Sequence, residues 1–198
     1  MLIEQTIAKL TSLRLTTMAK SLRRRLDNGE QHKMSPDEFL SCLVDDEVES
    51  RATKKIANLM KKANLRPEQA CLENIRFENT RGFSKKDIEP YYREDWIRRA
   101  EDMVFTGATG TGKSYLAEAL VFQSCKLGFR AEKISFNKLL EEVRAHRALG
   151  QYSKFMKNMQ RTAVLVVDDF AIDDNTSKQQ YCEFLHILED RTKRCSTE

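Results

Sequence analysis

The segment VFTGATGTGKSYLAEAL (104–120) sets Gly107, Ala108, Thr109, Gly110, Thr111, Gly112, Lys113 and Ser114 in the spacing G-x-x-x-x-G-K-[ST]. Each fixed position suits the gripping of a polyphosphate. Glycines admit the unusual dihedrals through which successive N–H groups, from about Gly110 to Ser114, converge on phosphate oxygens as an anion nest. A following helix adds its positive end. Lys113 would reach the β- and γ-phosphates, and the Ser114 hydroxyl would ligate Mg²⁺. A Gly-rich turn matching by accident is the alternative, and the flanks count against it: Met103 to Thr106 can supply a strand before the loop and Tyr115 to Phe122 a helix after it.

A metal bridging phosphates also needs a carboxylate at the end of a buried strand. AVLVVDDF (163–170) supplies one, its valine-rich run reading as a strand of a central parallel sheet. Asp168 would join the Mg²⁺ shell. Asp169, one residue nearer solvent, is placed to orient and polarise an attacking water, so Asp169 and Lys113 are the candidate catalytic residues. By itself an apolar run ending in Asp-Asp is only a strand meeting a turn; it is the loop upstream that gives the pair a chemical use.

The elements that must position these residues follow from spacing. Ile3, Ile7, Leu10, Leu13, Leu15, Met18, Leu22 and Leu26 predict a helix or helix pair over 1–28, stopped by Asn28-Gly29. Ser35-Pro36-Asp37-Glu38 predicts a helix start with a capping box, and a helical pattern runs on to about Ala63. Helices are further expected at 87–99, 137–149 and 176–193, with a strand at 129–135. A domain boundary is expected between residues 65 and 90.

The 198 residues carry a net charge of +4, and residues 1–100 hold 20 Lys+Arg against 16 Asp+Glu, with 14 against 14 in the remainder. The excess therefore sits in the N-terminal half, which points to an acidic partner. RATKKIANLMKKANLR (51–66) contains six basic residues and no acid. On a helix Arg51, Lys54, Lys55, Lys61, Lys62 and Arg66 share one arc, opposite Ala52, Ile56, Leu59, Met60 and Ala63. Two readings are open, a solvated surface helix or a surface for a nucleic-acid backbone. Arg23-Arg24-Arg25 is a weaker patch, since consecutive residues point to different helix sides.

The five cysteines are odd in number, widely spaced and form no C-x-x-C pair, a usage that suits a reducing cytosol and argues against a zinc site or a disulfide frame. The three histidines, His32, His146 and His186, lack metal-ligand spacing and are expected at the surface. No apolar run approaches membrane-spanning length.

Taken together, the helical prelude around LRLTTMAKSL, the DDEVESRATKKIANLMKKANL helix, the DWIRRAEDMVFTGATGTGKSYLAEAL block and LVVDDF resemble the IstB-like ATP-binding proteins, transposition helper ATPases of bacterial insertion sequences related to the helicase loader DnaC. The resemblance implies an α/β fold, a P-loop NTPase (AAA+) parallel-sheet core at 76–198 preceded by a small all-α N-terminal domain at 1–75 for DNA binding or oligomerisation. It implies a cytoplasmic homo-oligomer that uses ATP and Mg²⁺, binds double-stranded DNA and prepares a target site for a partner transposase. Two departures stand out. Asp169 takes the place where many AAA+ proteins carry Glu, and the chain ends where the family continues into a sensor strand, arginine finger and lid, so the core is expected to be incomplete at the C-terminus. Other readings are a helicase-loader-like protein, a DNA- and ATP-binding module without hydrolysis, and a small-molecule phosphotransferase, for which residues 129–160 offer no acceptor site.

Overall fold

A computed structural model describes residues 2–65, 70–77, 84–170 and 177–192. The chain divides into two compact units, one running to Ala57 and one from Asn58 onward. The sequence placed the division at residues 75 and 76. The change of unit falls earlier, inside a long helix, because Leu59, Met60 and Ala63 pack with the core residues of the second unit.

In the first unit the expected helix over 1–28 is a pair, α1 (Leu2–Ser12) and α2 (Thr16–Asp27). The break falls at Arg14, whose φ of 62° is left-handed and ends a helix. Gly29, at φ 68°, closes α2 where Asn28-Gly29 predicted a stop. Helix α3 (Pro36–Lys62) opens on the predicted capping box: Ser35 N–H donates to Glu38 Oε2 at 2.8 Å and Glu38 N–H donates to Ser35 Oγ at 3.3 Å. Helix α2 has no such residue at its own start, where Leu15 stands. Glu47 of α3 fills the role from a distance, its Oε2 accepting the N–H groups of Thr17 and Met18 at 2.9 Å each. Beside it, Arg25 binds Asp46 at 3.0 Å and Glu30 at 2.8 Å, and Ser21 donates to Asp46.

The second unit is built on two parallel strands, β1 (Ala131–Ser135) and β2 (Val164–Asp168), in register from Ala131 opposite Val164 to Ser135 opposite Asp168. Side-chain alternation sorts the sheet into two faces. Ala131, Val164 and Val166 join a core with Ala119, Leu120, Val121 and Cys125 of α6 (Lys113–Lys126) and with Leu72, Trp96 and Ile97. Ile134, Leu165 and Val167 turn the other way, to α7 (Phe136–Ala148), α8 (Tyr152–Gln160) and α9 (Lys178–Thr192), meeting Leu139, Val143, Phe155, Met159, Phe184 and Ile187. Helix α8 went unrecognised in the sequence.

Two expectations need correction. Met103 to Thr106 is not a strand: among the described residues it pairs with neither β1 nor β2, and Val104 is 86% exposed. The helix expected over 87–99 is broken into α4 (Lys85–Ile88), a 3₁₀ turn at Glu89–Tyr92 and α5 (Asp95–Arg98). Pro90 lacks an N–H and cannot extend the α4 hydrogen-bond ladder, and the helical path itself is left at Arg93, extended at φ −103° and ψ 167°. Among the described residues, Cys42, Cys71, Cys125 and Cys182 form no disulfide, and no helix is long and apolar enough to cross a membrane.

Candidate functional site

The loop predicted to grip phosphate stands at the head of α6. Gly107, Gly110 and Gly112 have φ of 148°, 83° and 91°, and Gly112 is the left-handed residue from which the helix departs. A side chain there would strain the turn that brings the first N–H groups of α6 to the loop. Thr111 Oγ1 donates to the Ala108 carbonyl at 2.9 Å. Lys113 arches back over the same loop, its Nζ 2.8 Å from the Gly107 carbonyl and 2.7 Å from that of Ala108. Thr109 lies at the exposed tip.

The second predicted element meets this loop from the sheet. Ser114, in the first turn of α6, donates its hydroxyl to Asp168 Oδ1 at 3.2 Å. The same oxygen accepts the Asp169 N–H at 3.0 Å. Asp169 is exposed, with a left-handed φ of 56°, so the chain turns off the sheet immediately after the carboxylate.

Sequence reasoning missed two residues of this site, Lys133 and Glu118. Lys133 on β1 and Val166 and Asp168 on β2 point to the α6 face by alternation, and Lys133 Nζ bridges Asp168 Oδ2 at 2.9 Å and Glu118 Oε1 at 2.8 Å. Burial works against the Lys133 charge, but its bonds to Glu118 and Asp168 outweigh it and raise the lysine above its ordinary value. Burial likewise opposes ionisation of Asp168, and the bond and charge of Lys133, with the Asp169 N–H and the Ser114 hydroxyl, prevail and hold it below the usual carboxylate value. The signal available in the sequence was a charged pair, Glu132-Lys133, inside an otherwise ordinary strand.

A positive-φ glycine loop, a lysine over it, and a serine hydroxyl against a strand-end carboxylate form a donor set suited to a metal-bound polyphosphate. The IstB-like ATP binding protein family model matches residues 8–197. The chain belongs to this family. It is 31% identical over its full length to a protein of Pseudomonas fluorescens named for insertion sequence IS1162 and for ATP binding, covering 85% of that protein. A protein of Sinorhizobium fredii, also named for an insertion sequence and ATP binding, is 29% identical over the full chain and 80% covered. An IS21-like relative from Bacteroides fragilis is 24% identical over 81% of this chain and 80% of its own length.

The candidate nucleic-acid residues lie along α3. Lys54, Lys55, Lys61 and Lys62 are exposed. Arg51, also exposed, donates to Glu47 at 2.8 Å and to the Arg14 carbonyl at 2.9 Å. Arg66 lies outside the described residues. On the arc expected to pack, Ala63 is buried and Ile56, Leu59 and Met60 half-buried, whereas Ala52 is exposed. The run Arg23-Arg24-Arg25 is engaged within the chain, with Glu4, with Asp46, and with Glu30 and Asp46 respectively. His146 departs from its expected surface position, being half-buried against Phe155 with ring centroids 4.8 Å apart.

Proposed function

We propose that this insertion-sequence family protein binds ATP with Mg²⁺ at residues 107–114 and hydrolyses it, acting as a DNA-binding helper that prepares target DNA for a partner transposase. The observation that carries the reading is the hydrogen bond from Ser114 to Asp168, which sets the hydroxyl at the head of α6 beside the strand-end carboxylate, as a pair holding one metal ion would require. Backbone N–H groups of the loop and Lys113 would take the phosphate oxygens, Lys113 exchanging its two carbonyl partners for them. Ser114 and Asp168 would hold Mg²⁺, whose charge offsets that building on the phosphates. Asp169 would orient the attacking water, its side chain one bond shorter than the more usual glutamate.

The family membership and the names of its insertion-sequence relatives support the transposition setting. In this reading the helical N-terminal region through α3 serves DNA binding or oligomerisation, and the sheet-bearing remainder forms the AAA+ ATPase core of a cytoplasmic homo-oligomer. The lysines of α3 meet the phosphate backbone of double-stranded DNA.

The test is phosphate release from ATP by the purified protein, measured with and without double-stranded DNA, beside binding of a fluorescent ATP analogue. Stimulation by DNA supports the proposal. Binding without turnover would replace it with a non-hydrolysing DNA and ATP module, and turnover dependent on a small acceptor would replace it with a phosphotransferase.

A further inference from the structure

Lys133 is an unusual residue for its position. Its side chain is only 11% exposed, between Glu118 at 9% and Asp168 at 22%. A buried ammonium is costly unless paired, and here two carboxylates pair it, one from α6 and one from β2. Glu118 lies four residues beyond Ser114 on α6, one turn along the same side of the helix. Lys133 sits opposite Val166 in the register, so Asp168, two residues on, is its diagonal neighbour on the same face. The two oxygens of Asp168 are therefore divided. Oδ2 is taken by the ammonium, while Oδ1 is turned toward the Ser114 hydroxyl and the Asp169 N–H.

We propose that Lys133 is a positioning residue for the metal-holding pair: by gripping Asp168 Oδ2 it keeps Oδ1 on the Ser114 side, with Glu118 anchoring the ammonium between them. This rests on the proposed reading of Ser114 and Asp168 as the groups that hold Mg²⁺ with ATP. An ion triad that merely closed the packing would contribute to folding and leave metal binding alone. A positioning triad sets the metal requirement, because a carboxylate free to rotate must be ordered again each time the metal binds. Residues that orient a metal ligand in this way typically change metal affinity about 10- to 100-fold when removed.

Two full-length variants test it. Lys133→Met with Glu118→Leu removes one positive and one negative charge together, so net charge is kept and no buried carboxylate is orphaned on α6. Lys133→Arg keeps the charge but substitutes a wide planar group for a compact one between the two carboxylates. Each is compared with the parent for thermal melting, for binding of a fluorescent ATP analogue in EDTA, for the Mg²⁺ concentration giving half of the metal-dependent binding, and for Mn²⁺ binding by electron paramagnetic resonance with a non-hydrolysable ATP analogue. The expected result is folded variants with parental binding in EDTA and a metal requirement raised roughly tenfold or more. A parental metal requirement in either folded variant would overturn the inference while leaving the proposed function standing. A parent protein that binds nucleotide with no metal dependence would overturn both.

Discussion

Ser114 and Asp168, 54 residues apart in the chain, meet through a 3.2 Å hydrogen bond between the first turn of α6 and the last residue of β2. Neither residue is drawn there by local preference. Gly112 launches the helix so that its second residue faces the sheet, and the parallel pairing of β1 with β2 carries Asp168 to the same end. In parallel sheets with crossover helices, ligands bind at the carboxyl ends of the strands, and β2 ends here in Asp168.

Lys113→Ala removes the mobile cation of the loop. The lysine ammonium bonds to the loop carbonyls of Gly107 and Ala108, so its loss should leave the fold intact and act on the ligand. A charge-assisted hydrogen bond is worth about 1.5–3 kcal/mol, so ATP affinity should fall at least roughly tenfold. Calorimetric titration with ATP and Mg²⁺ measures it, and unchanged affinity would remove the loop from the binding site.

Asp169→Asn separates binding from chemistry. Asn tolerates the left-handed backbone found at Asp169, so the turn after β2 should persist. The amide cannot act as a base, and general-base effects are typically about 10²–10⁴-fold. Turnover should therefore drop by at least about a hundredfold with ATP binding preserved. Equal losses in both would contradict the assigned division of roles.

Replacing Lys54, Lys55, Lys61 and Lys62 with glutamine should weaken binding to double-stranded DNA and flatten its salt dependence. The slope of log affinity against log salt should fall by roughly 0.9 for each phosphate that is no longer neutralised, with little change in sequence preference. Arg51 is left untouched because its bonds to Glu47 and the Arg14 carbonyl serve the helix packing. A parental salt slope would return α3 to a solvated surface helix.

The loop, LVVDD and the Ser35 capping box could be read directly because each is a local pattern with a local physical cause. The P-loop strand could not, because Met103 to Thr106 is apolar enough for a strand but has no described partner edge, and pairing is not a property of four residues. Helix α8 is short, but Tyr152, Phe155, Met156 and Met159 stand at i, i+3, i+4 and i+7, a helical spacing that was legible in the sequence. Lys133 showed in the sequence only as a charge within a strand: alternation alone leaves open which face is covered, and only the register with β2 puts the lysine beside Asp168. Arg51 shows another thing that spacing does not carry: besides its place in the basic arc it donates to Glu47 and to the Arg14 carbonyl, with its side chain still 57% exposed.

Glu47 links acidity to the first unit. Its carboxylate is held below the usual range by the Met18 N–H, by Arg51 and by the Thr17 N–H, against an opposing effect of burial. Asp46, which Ser21 and Arg25 share, is lowered too, first by the Ser21 hydroxyl. A carboxylate with a depressed folded value contributes stability that is present above its unfolded value, near pH 4 for Asp and Glu, and that is lost as pH falls through the folded value. The cap on α2 should accordingly weaken on acidification below about pH 4. Glu47→Gln should lower the thermal midpoint of the helical signal at pH 7, because the amide keeps one acceptor but loses the charge that favours the start of α2. The same substitution should cost less at pH 3, which lies below the unfolded value, because there the protonation favoured in the unfolded chain offsets the gain from the folded carboxylate. Circular dichroism melts of parent and variant at both pH values check this. A gap in midpoint that is as wide at pH 3 as at pH 7 would show that shape, and not charge, is what Glu47 supplies.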